Sequence, residues 1–311
     1  MATAGKNGTR SRASATLHLD LQMENGVRRW VVDISGWDPP PDHFSSILSL
    51  LPLHDRSAIT RFMKSEDRIR ALVSRLLQFV LVHEVLEIPF DEIIIKRTVE
   101  GKPYLENSGQ ILQFPNFNFN SSHDGDYVGI ASEPLCIVGL DIVSHAIPKR
   151  ETATEFARNF SSCFTSLEWN NIINAGSSNA ILDEFYRYWC LKEAYIKAIG
   201  AGLGFRLDRL EFHHTDWMDI SVRVDGEESR EWRFQLFDLG KSHWASVAKG
   251  HPKTAVNSYK GALQRSEFGQ EEYHSAGISA VHFPYECYSF GGGDEFATGL
   301  SQTTLRLCGV N

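Results

Sequence analysis

The 311-residue sequence holds only five cysteines, Cys136, Cys163, Cys190, Cys287 and Cys308, and no two of them form a CxxC pair. An odd, widely spaced set excludes a disulfide scaffold and a cysteine zinc site, and it fits a reducing compartment. Excess positive charge is also missing: 31 Lys+Arg stand against 39 Asp+Glu, for a formal net charge of −8. That balance excludes bulk electrostatic attachment to nucleic acid or to an anionic membrane, and leaves room only for a local basic groove. No uninterrupted apolar run approaches the ~18 residues a membrane span needs. The chain contains no Walker loop, GxGxxG, GxSxG or HExxH pattern, so the commonest nucleotide-, dinucleotide-, hydrolase- and metalloprotease-type sites are not indicated. Repeats of solenoid length are absent too.

What is present is 42% hydrophobic and 23% charged residues, the composition of a globular chain with a sizeable core. The two ends differ from the middle. Residues 1–16 are small and polar, with Lys6, Arg10 and Arg12 but no acid before Asp20. They read as a flexible leader on a cytoplasmic protein, with a mitochondrial transit peptide as the alternative. Residues 251–311 are diluted by Ser, Gln and Gly, including Gly291-Gly292-Gly293, and read as a disordered tail. Between them, 17–133 and 134–250 have room for two subdomains, divided at the turn Glu133-Pro134.

The periodicities place elements along this middle. Leu17–Leu21 and Trp30–Ile34 alternate like paired strands about Glu24-Asn25-Gly26. Asp42–Leu51 and Asp55–Lys64 read as helices. Ser65 is the expected cap of a third, in which Ile69, Leu72, Val73, Leu76, Leu77 and Val80 recur at helical spacing. Arg68 and Arg75 fall beside that stripe, on what reads as a solvated face. Strands are expected at Glu92–Thr98, Phe117–Ser122, Tyr127–Ala131 and Ile137–Val143. Helices follow at Glu155–Phe164, Ser166–Ala175 and Leu182–Ile199, the last ended by Gly200. Leu210–His213, Ile220–Val224, Trp232–Leu236 and Trp244–Ala248 suggest one closing antiparallel sheet. Strands and helices mix without strict βαβ alternation, so the fold class is α+β.

Asp141 is the one charge in the apolar strand Ile137–Val143. A buried carboxylate is costly unless it is paired or bound to a metal. Gly139, on the same strand face, leaves space for a ligand to approach. On the long helix, Trp189, Glu193 and Lys197 stand at i, i+4 and i+8 along one side. Taken alone, Glu193 and Lys197 form a routine surface pair. Flanked by Phe185, Tyr188, Leu191, Tyr195 and Ile196, however, they sit on a helix with little surface suited to water. Asn118-Phe-Asn-Ser-Ser-His123 supplies hydrogen-bonding groups at a strand end, and Arg97-Thr-Val-Glu-Gly-Lys102 puts two cations around a turn. Alone, His123 is more often a structural histidine, and the cationic turn is more often solvated. Together these segments offer cations for phosphates and hard carboxylate oxygens for a divalent ion, with Mg²⁺ favoured.

These residues resemble the 4′-phosphopantetheinyl transferase superfamily. The resemblance rests on three motifs in order: Gly101-Lys-Pro103; Asn118–His123 leading to Val138-Gly-Leu-Asp-Ile142; and Trp189-Cys-Leu-Lys-Glu-Ala-Tyr-Ile-Lys197. Pro115–His123 and Ile196–Phe205 look most like its eukaryotic branch, and the likeness spans residues 17–250. It implies a pseudo-dimer of two similar α+β halves in one monomer, with coenzyme A in the cleft between them and an apo carrier protein or carrier domain as acceptor. Asp141 and Glu193 would bind Mg²⁺, and Glu193, Lys197 and Asp141 would carry the chemistry. Arg97, Thr98, Val99, Glu100, Gly101, Lys102, Asn120, Ser121, Ser122 and His123 would hold the nucleotide. An early arginine of the family falls at Ala58 here, so Arg56 or Arg61 would substitute. Many bacterial-type members have a second acid where this chain has Val143. A non-catalytic module for coenzyme A or carrier protein, and a metal-dependent phosphodiesterase, are the alternative activities.

Overall fold

Two helices of 22 residues each organise the chain, one in each half, and each lies across a sheet. The computed structural model describes residues 23–106, 113–145, 151–269 and 285–289. The first half contains β1 (Arg28–Asp33), α1 (Pro41–Leu48), α2 (Leu53–Thr60), α3 (Ser65–Leu86), β2 (Ile95–Arg97), β3 (Pro103–Leu105), β4 (Asn118–Asp124) and β5 (Tyr127–Glu133). The second contains β6 (Ile137–Ser144), α4 (Ala153–Arg158), α5 (Ser166–Ile173), α6 (Ser178–Ile199), β7 (Leu210–Thr215), β8 (Met218–Val224), β9 (Glu227–Ser229), β10 (Arg233–Gly240) and β11 (His243–Gly250). After it come α7 (Asn257–Lys260) and β12 (Glu286–Ser289). The class is α+β, as the mixed pattern implies.

All six residues of the α3 stripe are buried and face β4 and β5. Burying side chains of this size contributes about 1.5–3 kcal/mol apiece, which is what docks the helix. Ser65 is its first residue rather than its cap: Lys64 precedes it without a side-chain cap bond, and Glu66 and Asp67 favour the positive end of the helix. α6 is capped by Ser177, whose Oγ accepts from the Ala180 N–H. It stops at Gly200, whose φ of 74° is left-handed and whose N–H donates to Ile196.

Several expectations change. Arg75 is not on a solvated face: it is buried, with its Nε 2.8 Å from Asp55, and α2 supplies that partner. The expected closing sheet is two sheets, β7-β8-β9 and β10-β11-β6, because β8 reverses at Asp225-Gly226 onto β9 and not onto β10. A 3-10 turn at Phe90–Glu92 shortens the strand expected there, and another at Ser161–Cys163 ends the helix begun by α4. Leu17–Leu21 lies outside the described residues. β1 pairs instead with β5 (antiparallel) and with β12 (parallel). Unstructured chain is not what residues 252–263 form: a 3-10 turn at Pro252–Thr254 leads into α7, and Tyr259 is fully buried. Most of the remaining tail lies outside the described residues.

The two halves meet along β4 and β6, and side chains make the join. The backbone N–H groups of Val138, Leu140, Ile142 and Ser144 donate to the side chains of Asn118, Asn120, Ser122 and Asp124, at 2.7–3.1 Å. Each donor lies 20 residues after its acceptor, so the strands run in the same direction. Alternation puts every second β4 side chain on this edge. The ladder satisfies amides that the edge strand β6 would otherwise leave unpaired. Val31, Tyr127 and Ala131 of the first sheet then pack on Val138, Leu140, Ile142, Ala245 and Val247 of the second.

Candidate active site

The site begins with two local events in the second half. α6 lies so close to β6 that a Cβ on Gly139 would stand 1.9 Å from the Ala194 carbonyl oxygen. The space beside Asp141 that Gly139 provides is therefore taken by the helix, not by a ligand. Close approach brings Lys197, one turn beyond Glu193, onto the strand: its Nζ donates to Asp141 Oδ1 at 2.5 Å and to Ser122 Oγ at 2.8 Å. Ser122 Oγ in turn donates to Asp141 Oδ1 at 3.3 Å.

These groups stand at a cavity of about 420 Å³ between the halves. One wall is the turn of Arg97 and Glu100 to Pro103, together with Asn120 and Ser121 of β4. The facing wall is Trp189, Glu193, Ile196 and Lys197 of α6, continued by Gly200, Gly202, Leu203, Phe205 and Leu207. One side is polar and cationic and the other is largely apolar, as suits a ligand with a charged end and a neutral arm. Trp189, Glu193 and Lys197, three steps along one helix face, share this wall. Gly101, with φ 94°, closes the opposite turn, where the Thr98 N–H donates to the Lys102 carbonyl at 2.9 Å.

Two carboxylates face one ammonium here. Burial raises the Asp141 carboxyl above its usual range, although Lys197 pulls the other way. Burial first, and the Asp141 charge second, raise Glu193. Burial opposes the Lys197 ammonium, but Asp141 and Glu193 outweigh it and raise that group as well. All three therefore bind protons more readily than usual, the response expected of an excess of negative charge in a partly desolvated place. Asp141 Oδ2 is buried and has no hydrogen-bond partner. An orphaned hard oxygen beside a second carboxylate has the donor character that a divalent cation takes. Among the described residues no group of three or more His, Cys, Asp and Glu gathers for a metal.

The remaining candidates divide. Arg97, Glu100, Gly101, Asn120 and Ser121 line the cavity, and Ser122 and Asp141 stand just behind it through Lys197. Thr98 shapes the turn without lining the cavity, and Val99 at its tip is 95% exposed. His123 is exposed near the end of β4 and does not line the cavity; desolvation first, then Lys197 and Arg70, hold it below the ordinary histidine value. Arg56 is not part of the cavity: its guanidinium donates to the Leu51 and Ser49 carbonyls at the end of α1. Lys102 borders the cavity, but its ammonium is committed to two backbone carbonyls. Leu203 and Phe205 belong to the Ile196–Phe205 stretch of the resemblance, but the sequence assigns no role to them or to Leu207, although their alternation beyond Gly200 is visible there. The relay in which Arg75 donates to Gln78, and Gln78 to Ser121, leaves no sequence signal.

The family models and the curated relatives agree with one another. Residues 35–135 match the family model described as 4′-phosphopantetheinyl transferase, N-terminal, and residues 137–248 match that of the 4′-phosphopantetheinyl transferase superfamily. The L-aminoadipate-semialdehyde dehydrogenase-phosphopantetheinyl transferase of Rattus norvegicus is 38% identical over 232 residues, 72% of this chain and 75% of its own length. A phosphopantetheinyl transferase of Thraustochytrium is 35% identical over 231 residues, 72% of this chain and 79% of its own. Among solved structures, a holo-(acyl-carrier-protein) synthase of Bacillus anthracis in complex with coenzyme A overlaps 37% of this chain and 94% of its own, with 19% identity and a TM-score of 0.29.

Proposed function

Given that the chain belongs to the 4′-phosphopantetheinyl transferase superfamily, we propose that it moves the phosphopantetheine arm of coenzyme A onto a serine hydroxyl of an apo carrier protein, releasing adenosine 3′,5′-bisphosphate. The observation that carries this reading is the unsaturated charge group at the cavity: Asp141 Oδ2 without a partner, Glu193 near enough for the two carboxylate charges to act on each other, and Lys197 bonded to Asp141. Arg97 and the Glu100–Lys102 turn suit the nucleotide end, and Leu203, Phe205 and Leu207 suit the uncharged pantetheine arm. Val143, buried on β6, adds no third acid.

Asp141 and Glu193 would hold Mg²⁺, with phosphate and water completing its shell. Bound there, the ion would offset charge on the pyrophosphate. Glu193, raised by burial and by Asp141, is suited to take the proton of the serine hydroxyl as its oxygen attacks the β-phosphate. The Lys197 ammonium can meet the charge that grows on the phosphate oxygens as the bond to the leaving adenosine 3′,5′-bisphosphate breaks. Ser122 and Asp141 fix that ammonium.

The test is to incubate the chain with coenzyme A, Mg²⁺ and an apo carrier, with and without a chelator, and to weigh the carrier. Gain of one phosphopantetheine mass, lost with chelator, is expected. Cleavage of coenzyme A without any carrier would mean a phosphodiesterase, and coenzyme A binding without either reaction would mean a non-catalytic module.

A further inference from the structure

Lys102 is buried with no described carboxylate beside it, and burial, then the Lys197 charge, push its ammonium well below the ordinary lysine value. Its Nζ donates to the carbonyl of Val138 on β6 at 2.9 Å and to that of Lys197 on α6 at 2.5 Å. It also stands 4.7 Å from the centre of the Tyr259 ring. A lone charge is costly to bury. Here two carbonyl dipoles and an aromatic face stand in for a counter-ion. Tyr259 comes from α7, outside both family-model matches. It is locked in turn: its hydroxyl donates to Asn118 Oδ1 at 3.2 Å, the same oxygen that receives the Val138 N–H. Gly200 makes room for this arrangement, since a Cβ there would lie 3.1 Å from Lys102 and 3.2 Å from Tyr259. The Val256 N–H donates to the Ile199 carbonyl, and the Ser258 hydroxyl donates to Glu100 on the cavity turn.

We infer that the Lys102 ammonium, roofed by Tyr259, is a positioning group that fixes the main chain of Lys197, leaving only the backbone of its turn to face the nucleotide. The inference rests on the transferase reading of the cleft. It gives the segment after Gly250 a part in the reaction, through the last turn of α6. The cage joins three separate stretches: the turn before β3, the end of α6, and α7. Removing any one of them frees the carbonyl of the residue whose ammonium sits on Asp141.

Lys102→Met keeps the aliphatic stem and removes the donor, Tyr259→Leu removes the ring, and Tyr259→Phe keeps it. With saturating apo carrier and coenzyme A, Lys102→Met and Tyr259→Leu should each lower kcat about tenfold or more, with KM for coenzyme A within about twofold. Tyr259→Phe should stay near the parent. The double variant Lys102→Met/Tyr259→Leu should be no worse than Lys102→Met alone, because the two groups act as one unit. Amide exchange of the residues that end α6 should speed up in the same two single variants. A higher KM for coenzyme A at unchanged kcat in Lys102→Met would overturn the inference and make Lys102 a nucleotide ligand. If Lys102→Met does not fold, equal kcat for Tyr259→Leu and Tyr259→Phe overturns it instead. A parent chain that transfers nothing would sink the transferase reading, and the exchange measurement would then decide the cage by itself.

Discussion

Helix α6 carries two lysine–carboxylate pairs five residues apart in sequence, and they differ in one respect. Lys192 and Glu168 are both fully buried, and every polar atom has a partner. Lys192 donates to Glu168 and to the carbonyls of Leu207 and Leu210, and Glu168 accepts from the N–H groups of Phe212 and Thr165. Lys197 and Asp141 make a still shorter contact at the cavity, 2.5 Å against 2.7 Å, yet Asp141 Oδ2 has no partner and Glu193 adds a second negative charge. A closed pair holds a fold together. An open pair costs stability and is retained where something else binds. The difference cannot be seen from residue types, since Lys and a carboxylate occur in both.

The comparison breaks most visibly at the closed pair. Lys192→Met leaves Glu168 charged and uncompensated, and should cost about 3–5 kcal/mol, read as a fall in the urea midpoint. Adding Glu168→Gln should recover part of that loss. A small cost would mean the pair is not closed. At the open pair, Glu193→Gln should lower transfer by about 10²-fold or more while coenzyme A still binds in calorimetry; full transfer would remove Glu193 as the base. Next in size is truncation. A chain ending after Gly250 lacks Tyr259 and should lose about tenfold in kcat, whereas one ending after Gly269 should not.

The smallest effects concern pH and sharpen the same contrast. Glu193 is raised from an ordinary 4.5, so it becomes protonated, and useless as a base, at a pH above that value. The acid limb of kcat should therefore lie above the usual glutamate range and vanish in Glu193→Gln. For stability the sign is set by a folded value above the unfolded one. The folded state binds the extra proton, so stability in metal-free buffer falls as pH rises through the raised value. Glu193→Gln should flatten that slope and raise the neutral-pH Tm by about 2 °C. A lower Tm would mean that Glu193 is already satisfied.

Much of the fold and part of the site were legible in the residues. The α3 stripe is buried as its spacing predicts, and Trp189, Glu193 and Lys197 reach one cavity because the helical repeat leaves no other face for them. That Asp141 belongs to the same site as Glu193 and Lys197 came from the family resemblance, whereas the direct bond from Lys197 to Asp141 was not legible at all, since no local spacing encodes it. What stayed hidden shares a cause. Lys102 looks like an exposed turn cation, Arg75 like a solvated helix residue, and Tyr259 like one aromatic in a Gly- and Ser-diluted tail. Each is defined by a partner supplied from elsewhere in the chain: Lys197, Asp55 and Asn118 respectively. Gly139 misled for the same reason, because an empty side-chain position does not say whether a ligand or a helix will fill it.

Ser122 brings the seam and the chemistry to a single atom. A serine oxygen has two lone pairs and one proton. Here it accepts from Ile142 N at 3.1 Å and from Lys197 Nζ at 2.8 Å, and donates to Asp141 at 3.3 Å. Its valence is full, so it has nothing to trade when a neighbour changes. Alanine there would strand the Ile142 N–H and take one partner each from Lys197 and Asp141, which keep each other, while threonine could keep all three bonds. A replacement at this position should therefore be tolerated only where it keeps a hydroxyl, however freely the surrounding surface is changed.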